Sequence, residues 1–281
     1  MAEDSLRGRP IAVFDSGVGG LTVLHELLVS LPHEDFVYLG DTARFPYGRR
    51  EPEELTHFAL QIADFLLDRG AKLLVIACNS ATSAALGPLQ EHMTARTEEV
   101  DLVGVVSPES QLAVEATHNG RVGLLATPTT VASGAYARAV QASDPHVELV
   151  AVPCPDLAPI IQSGFPFDQR VVDTVRSYCE PLRRAGVDTV ILGCTHYPLV
   201  APMLQRTLGR TVTLISSGHA VARRVEHALA ARGSATASKE EGAYRFLCTG
   251  DTQAFHALGT RFLQMPLGAV AHVDLPAEVP A

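Results

Sequence analysis

Short apolar runs recur along this chain with helix-length segments between them, and this pattern narrows the fold more than any other feature. The runs are IAVFD (11–15), FVYLG (36–40), LLVIAC (73–78), LVGVV (102–106), RVGLLAT (121–127), VELVAVP (147–153), TVILGC (189–194), TVTLIS (211–216) and YRFLCTG (244–250). A strand with one wet face alternates apolar and polar residues. These runs are apolar on both faces, which is how a strand buried in a parallel sheet reads. Between them, LTVLHELLVS (21–30), EPEELTHFALQIADFLLDRG (51–70) and FDQRVVDTVRSYCEPLRRAG (167–186) have helical length. The latter two carry apolar residues at helical spacing and stop at Gly70 and Gly186, as helix C-termini often do. Strands alternating with helices predict an α/β protein with mostly parallel sheets.

The pattern also repeats at long range. IAVFDS (11–16) aligns with VGLLAT (122–127), FVYLG (36–40) with LVAVP (149–153), and VIACNS (75–80) with ILGCTH (191–196). Ser16 then stands opposite Thr127, and Cys78 opposite Cys194. The chain is expected to form two pseudo-symmetric α/β lobes, 1–102 with 213–281 and 103–212, with the active site in the cleft between them. GSATASKEEG (233–242) reads as an exposed loop, and the tail HVDLPAEVPA (272–281) as a segment that frays.

Composition bounds the function. The net charge is −9 and Lys72 and Lys239 are the only lysines, so no basic patch for nucleic acid stands out. The N-terminus MAEDSLRGRP has no apolar core of a secretory signal, and no apolar run approaches the roughly 20 residues of a membrane span. A cytoplasmic protein is expected. Its five cysteines include no CxxC pair, which suggests free thiols. The histidines are scattered without HExxH or paired Cys/His spacing, so no metal is expected.

In open α/β sheets ligands bind beyond the carboxyl ends of the strands. Asp15, Asp41, Cys78, Thr127 and Cys194 all stand at such ends, and facing lobes would bring them over one cleft. Two cysteines on opposite sides of a small substrate suggest a two-base reaction. One thiolate removes a proton from carbon and the other thiol returns one to the opposite face, with no metal or redox group. A free thiol has a pKa of about 8.5, so one of the pair must be biased toward thiolate. The helix N-termini after CNSAT and CTHYP could supply that bias, and His196 and Asp15 could shuttle or tune the protons. The alternative is that both cysteines simply pack in the core. DSGVGG (15–20) reads as a glycine-rich loop for a carboxylate or phosphate, or as a tight strand-to-helix turn. GDTARFPYG (40–48) is a polar loop behind a buried strand, and the threonines of ATPTTVASGAY (126–136) are either site hydroxyls or helix N-caps.

FDSGVGGLTVL, YLGDTARFPYG, IACNSAT, GVVSP, TPTTVASGAY and LGCTHYPL together resemble the glutamate racemases, cofactor-independent enzymes of the aspartate/glutamate racemase superfamily, over about residues 10 to 265. The resemblance implies catalytic cysteines at Cys78 and Cys194. It implies substrate-binding positions at Asp15, Ser16, Tyr47, Gly48, Asn79, Ser80, Thr195 and His196. Thr127 and Thr130 join them as candidates, and Asp15 and His196 join the catalytic set. It also implies glutamate as substrate, no cofactor, and a product used in peptidoglycan synthesis; a homodimer is expected. The chain departs from the family in three places. Ser80 stands where the family has threonine. Gln162, which cannot ionise, stands near a frequent glutamate. Ser216 replaces the acid of LIDSG. The short N-terminus implies that the extension used for allosteric activation in some members is absent. Rival readings are an aspartate racemase of the same fold, a Cys194/His196 hydrolase, and an amino-acid binding protein; the CTH triplet resembles the glutamate branch.

Overall fold

A computed structural model describes residues 6–97, 99–164 and 169–275. The first part of the chain runs β1 (Ile11–Asp15), α1 (Leu21–Ser30), β2 (Phe36–Gly40), α2 (Pro52–Leu67), β3 (Leu73–Ile76), α3 (Asn79–Arg96), β4 (Asp101–Gly104) and α4 (Val106–Ala116). The second runs β5 (Arg121–Ala126), α5 (Pro128–Ala132), α6 (Ala135–Ser143), β6 (Glu148–Pro153), α7 (Leu157–Gln162), α8 (Gln169–Ala185), β7 (Thr189–Gly193), α9 (Ala201–Leu208), β8 (Thr213–Ile215) and α10 (Ser217–Arg232). The chain closes with β9 (Tyr244–Cys248), α11 (Thr252–Leu263) and β10 (Val270–His272).

The strands form two sheets, in the orders β10-β9-β2-β1-β3-β4 and β6-β5-β7-β8, and every ladder is parallel. The repeat read from the sequence is therefore a repeat of topology. β2-β1-β3-β4 and β6-β5-β7-β8 are one strand order used twice, and Cys78 and Cys194 follow the third strand of each. Both faces of the first sheet are covered, as its sequence requires. Ile11 and Val13 of β1 with Leu73 and Val75 of β3 belong to a core that continues into the second sheet. The intervening Ala12, Phe14, Leu74 and Ile76 face a second core under α2 and α3. Successive side chains of a strand point to opposite faces, so one apolar run serves two cores.

Two expectations need correction. The residues at 213–215 were assigned with the first lobe, but β8 pairs with β7 and completes the second sheet. Division by strand pairing falls after Gly104 and after Ile215. The tail segment from 272 is not loose throughout: Val270–His272 pair with β9, and the Val273 amide donates to the Cys248 carbonyl at 2.9 Å. Residues 276–281 of that tail lie outside the described residues. The loop at 233–242 is largely exposed but anchored, because the Ser234 carbonyl accepts from buried Lys72 Nζ at 2.9 Å and the Thr236 amide donates to Glu34 at 2.7 Å. Among the described residues no helix is long and apolar enough to cross a membrane.

Candidate active site

The carboxyl ends of β1, β3, β5 and β7 converge on a pocket that Cys78 and Cys194 both line. Cys78 sits at the N-cap of α3, where the backbone is extended, and its Sγ accepts weakly from the Ala81 amide at 3.5 Å. Burial pushes its thiol up to about 12, with the Asp15 charge adding to the effect and the Ala81 amide and Ser16 opposing it. Burial also raises the Cys194 thiol well above its ordinary range, against the backbone amide of His196. The helix-end bias toward thiolate expected from the sequence is thus present and outweighed. A few hydrogen bonds do not offset the loss of water around a largely buried sulfur.

Asp15 does not line the pocket. It is fully buried one layer behind it, and its carboxylate accepts from the Gly17 amide at 3.0 Å and Thr195 Oγ1 at 3.2 Å. Burial raises it to about 6 in spite of the amides of Gly20, Gly17 and Ser16. The glycine-rich loop therefore wraps an anion, but that anion is the chain's own Asp15. Its glycines serve close approach, since a Cβ on Gly19 would collide with Thr195 Oγ1 and His196 Nδ1. Ser16 is the loop residue that reaches the pocket.

His196 is buried beside Cys194. Its Nδ1 is 3.9 Å from Cys194 Sγ, its Nε2 is 2.8 Å from Gln162 Oε1, and its ring packs against Phe45 and Phe262. Burial lowers it to about 3, so the imidazole is neutral. With the Gln162 amide oxygen turned to the ring, the ring proton sits on Nε2 and the Nδ1 lone pair is left toward the thiol.

Hydroxyls line the other wall. Ser80, Thr127 and Thr130 form a triangle with sides of 2.9, 3.2 and 3.0 Å, joining α3 to the start of α5. Thr127 makes no side-chain cap bond to α5, so helix capping is not what these threonines do. Ser80 and Thr127 line the pocket, while Thr130 stands behind them. Gly48 packs so closely on Thr127 that a Cβ would lie 2.6 Å from the Thr127 side chain. Tyr47 and Gly48 are held at the wall by buried Asp41, which accepts from Tyr47 Oη, Arg44 Nε and Thr249 Oγ1. Among the described residues no three His, Cys, Asp or Glu side chains cluster to hold a metal ion.

The sequence reading missed part of the wall. Phe45 and Pro46 inside GDTARFPYG and Arg49 just after it also line the pocket, and Pro128, Pro155 and Pro159 close it from the second sheet. Arg49 reaches across to Asp156 at 2.9 Å and to the Pro155 carbonyl at 3.0 Å. Nothing in the local sequence around Pro155 and Pro159 marks them, because only the fold brings them opposite Tyr47. A second omission is Glu109, a carboxylate with no exposure that binds the Asn79 side chain. It lies at the core spacing of α4, with Val106, Ser110 and Ala113, and that spacing was a usable signal.

Two like parallel sheets meeting at one enclosed pocket place the protein among the α/β racemases, a class of isomerases. The chain belongs to the Asp/Glu/Hydantoin racemase family, whose model matches residues 23–225. A glutamate racemase of Geobacter metallireducens is 42% identical over 270 residues, covering 96% of this chain and 98% of its own. The crystal structure of a glutamate racemase isoform from Bacillus anthracis has a TM-score of 0.91 at 34% identity and covers 97% of this chain and 100% of its own. The glutamate racemase of Francisella tularensis in complex with D-glutamate has a TM-score of 0.89 at 31% identity, with the same coverage.

Proposed function

We propose that this protein interconverts L- and D-glutamate by two-base proton transfer at Cα. The observation that carries this reading is the placement of Cys78 and Cys194 at the same point of two sheets of one order, both lining one pocket. The likeness to glutamate racemases, one of them holding D-glutamate, supports the substrate.

The steps balance without a cofactor. A thiolate on one side takes the Cα proton and becomes a thiol. The thiol on the other side gives its proton to the opposite face of the carbanion and becomes the thiolate. Charge is conserved and configuration inverts. Burial holds both thiols protonated, so the substrate ammonium supplies part of the charge that stabilises a thiolate. His196 Nδ1 is the acceptor nearest the Cys194 proton. Asp15 acts through Thr195, which it orients by a hydrogen bond. The pocket holds the carboxylates of the substrate with hydroxyls and backbone groups of Ser16, Gly48, Ser80 and Thr127. D-glutamate made this way would serve peptidoglycan synthesis in the cytoplasm, by a homodimer.

The test is circular dichroism of pure L-glutamate, D-glutamate and both aspartates with dialysed protein. Loss of signal with both glutamates and retention with the aspartates is expected. Comparable kcat/KM on aspartate would move the assignment to a broad or aspartate-type racemase, and activity lost to EDTA and restored by a metal would refute the two-thiol site.

A further inference from the structure

Glu109 is fully buried, lies outside the pocket, and has no part in the proton transfers described above. Three donors converge on its carboxylate. Asn79 Nδ2 donates to Oε2 at 3.1 Å, Tyr136 Oη donates to the same oxygen, and Ser217 Oγ donates to Oε1. Asn79 Nδ2 also donates to Tyr136 Oη at 2.7 Å. The two acceptors sit side by side and share the Asn79 amide group as donor. Turning the amide over would set its oxygen against a carboxylate and against a phenol whose proton is already given away. Glu109 thus fixes which way round the Asn79 amide stands.

The consequence lies at the other end of that amide. Asn79 lines the pocket as the residue next to Cys78, and its Oδ1 is buried with no hydrogen-bond partner among the described residues. A buried carbonyl oxygen without a donor is costly and uncommon. It can be relieved only by a donor. Zwitterionic glutamate has a single donor group, the α-ammonium, because its two carboxylates only accept.

We infer that Glu109 is a positioning residue: through Asn79 Nδ2 and Tyr136 it holds Asn79 Oδ1 as the acceptor for the substrate's α-ammonium. This rests on the proposed glutamate reading. It places the ammonium, and with it Cα, next to the Cys78 side of the pocket. Ser217 at the start of α10 holds the far oxygen of the carboxylate and Tyr136 on α6 the near one, so helices associated with both sheets contribute to one contact.

The test compares D-glutamate with glutarate, which has both carboxylates and no amino group, by calorimetric titration. In Glu109→Leu both acceptor oxygens are lost and Asn79 loses its fixed orientation. D-glutamate should bind about tenfold or more weakly, while glutarate binding changes by less than about twofold. Equal losses for the two ligands would mean a merely structural role, and unchanged D-glutamate binding would also overturn the inference. If Glu109→Leu does not fold, Tyr136→Phe removes the other acceptor of Nδ2 and is held to the same ligand split. A wild-type protein that binds glutarate and not glutamate would overturn the glutamate reading itself.

Discussion

His196 Nε2 lies 2.8 Å from Gln162 Oε1, across a sequence gap of 34 residues, and the opposite ring nitrogen faces the Cys194 thiol. An uncharged amide leaves the buried imidazole neutral and still selects its tautomer.

Removing that selection should slow the reaction without unfolding the protein. Gln162→Ala is expected to lower kcat/KM about tenfold, in the range of a lost orienting hydrogen bond. Enantiomers have equal free energy, so the loss must be equal in the two directions. Gln162→Glu should instead raise the His196 pKa by adjacent negative charge. Imidazole ¹⁵N shifts measure both effects; an unchanged tautomer in Gln162→Ala would remove Gln162 from the mechanism.

Replacing Cys78 or Cys194 by serine should stop racemisation, because a serine hydroxyl is far too weak an acid or base near neutral pH. Each variant should keep its fold and bind glutamate. In D₂O, each should exchange the Cα proton of one enantiomer only, with opposite preference in the two variants. Near-normal racemisation by Cys78→Ser would make Cys78 a packing residue.

Buried ionisable groups give stability an uneven pH profile. Burial raises Asp15 to about 6 and Glu109 to about 7. Each folded-state pKa is above its unfolded value, so their contribution is full below about pH 4 and is lost as pH rises through 6 to 7. His196, lowered to about 3 by burial, has the opposite sign. Its contribution is present above about pH 6.5 and lost as pH falls toward 3. Asp15→Asn should gain on the wild type as pH rises from 4 to 7, by at most about 3 kcal/mol. Thermal melts over that range decide it; a constant offset between the curves would refute the Asp15 shift.

Lys72 and Glu34 form a buried ion pair at 2.6 Å, and Lys72 Nζ also donates to the Arg7 and Ser234 carbonyls. Lys72→Met strands the Glu34 carboxylate and should cost about 3–5 kcal/mol in urea unfolding. The pair does not line the pocket, so kcat of the folded protein should hold. Adding Glu34→Gln should restore part of the loss; no recovery in the double variant would mean that the carbonyl contacts, not the charge, dominate.

Much of this protein is legible in its sequence because the information is local. The unbroken apolar runs required two-faced burial and hence parallel sheets. The match of IAVFDS with VGLLAT and of VIACNS with ILGCTH places two cysteines at equivalent strand ends. The strand at 213–215 shows the limit, since TVTLIS would suit either sheet and only its pairing with β7 assigns it. The same holds for charge and contact. A helix N-terminus beside Cys78 is visible in the sequence, but the depth of burial that overrides it is a sum over both sheets. DSGVGG announces a tight turn, while its collision-free fit under Thr195 and His196 depends on a segment some 175 residues away. The Glu109 network joins residues 79, 109, 136 and 217. Periodicity fixes which face of an element is buried; which other face it meets, and how far from water, is decided only when distant elements pack.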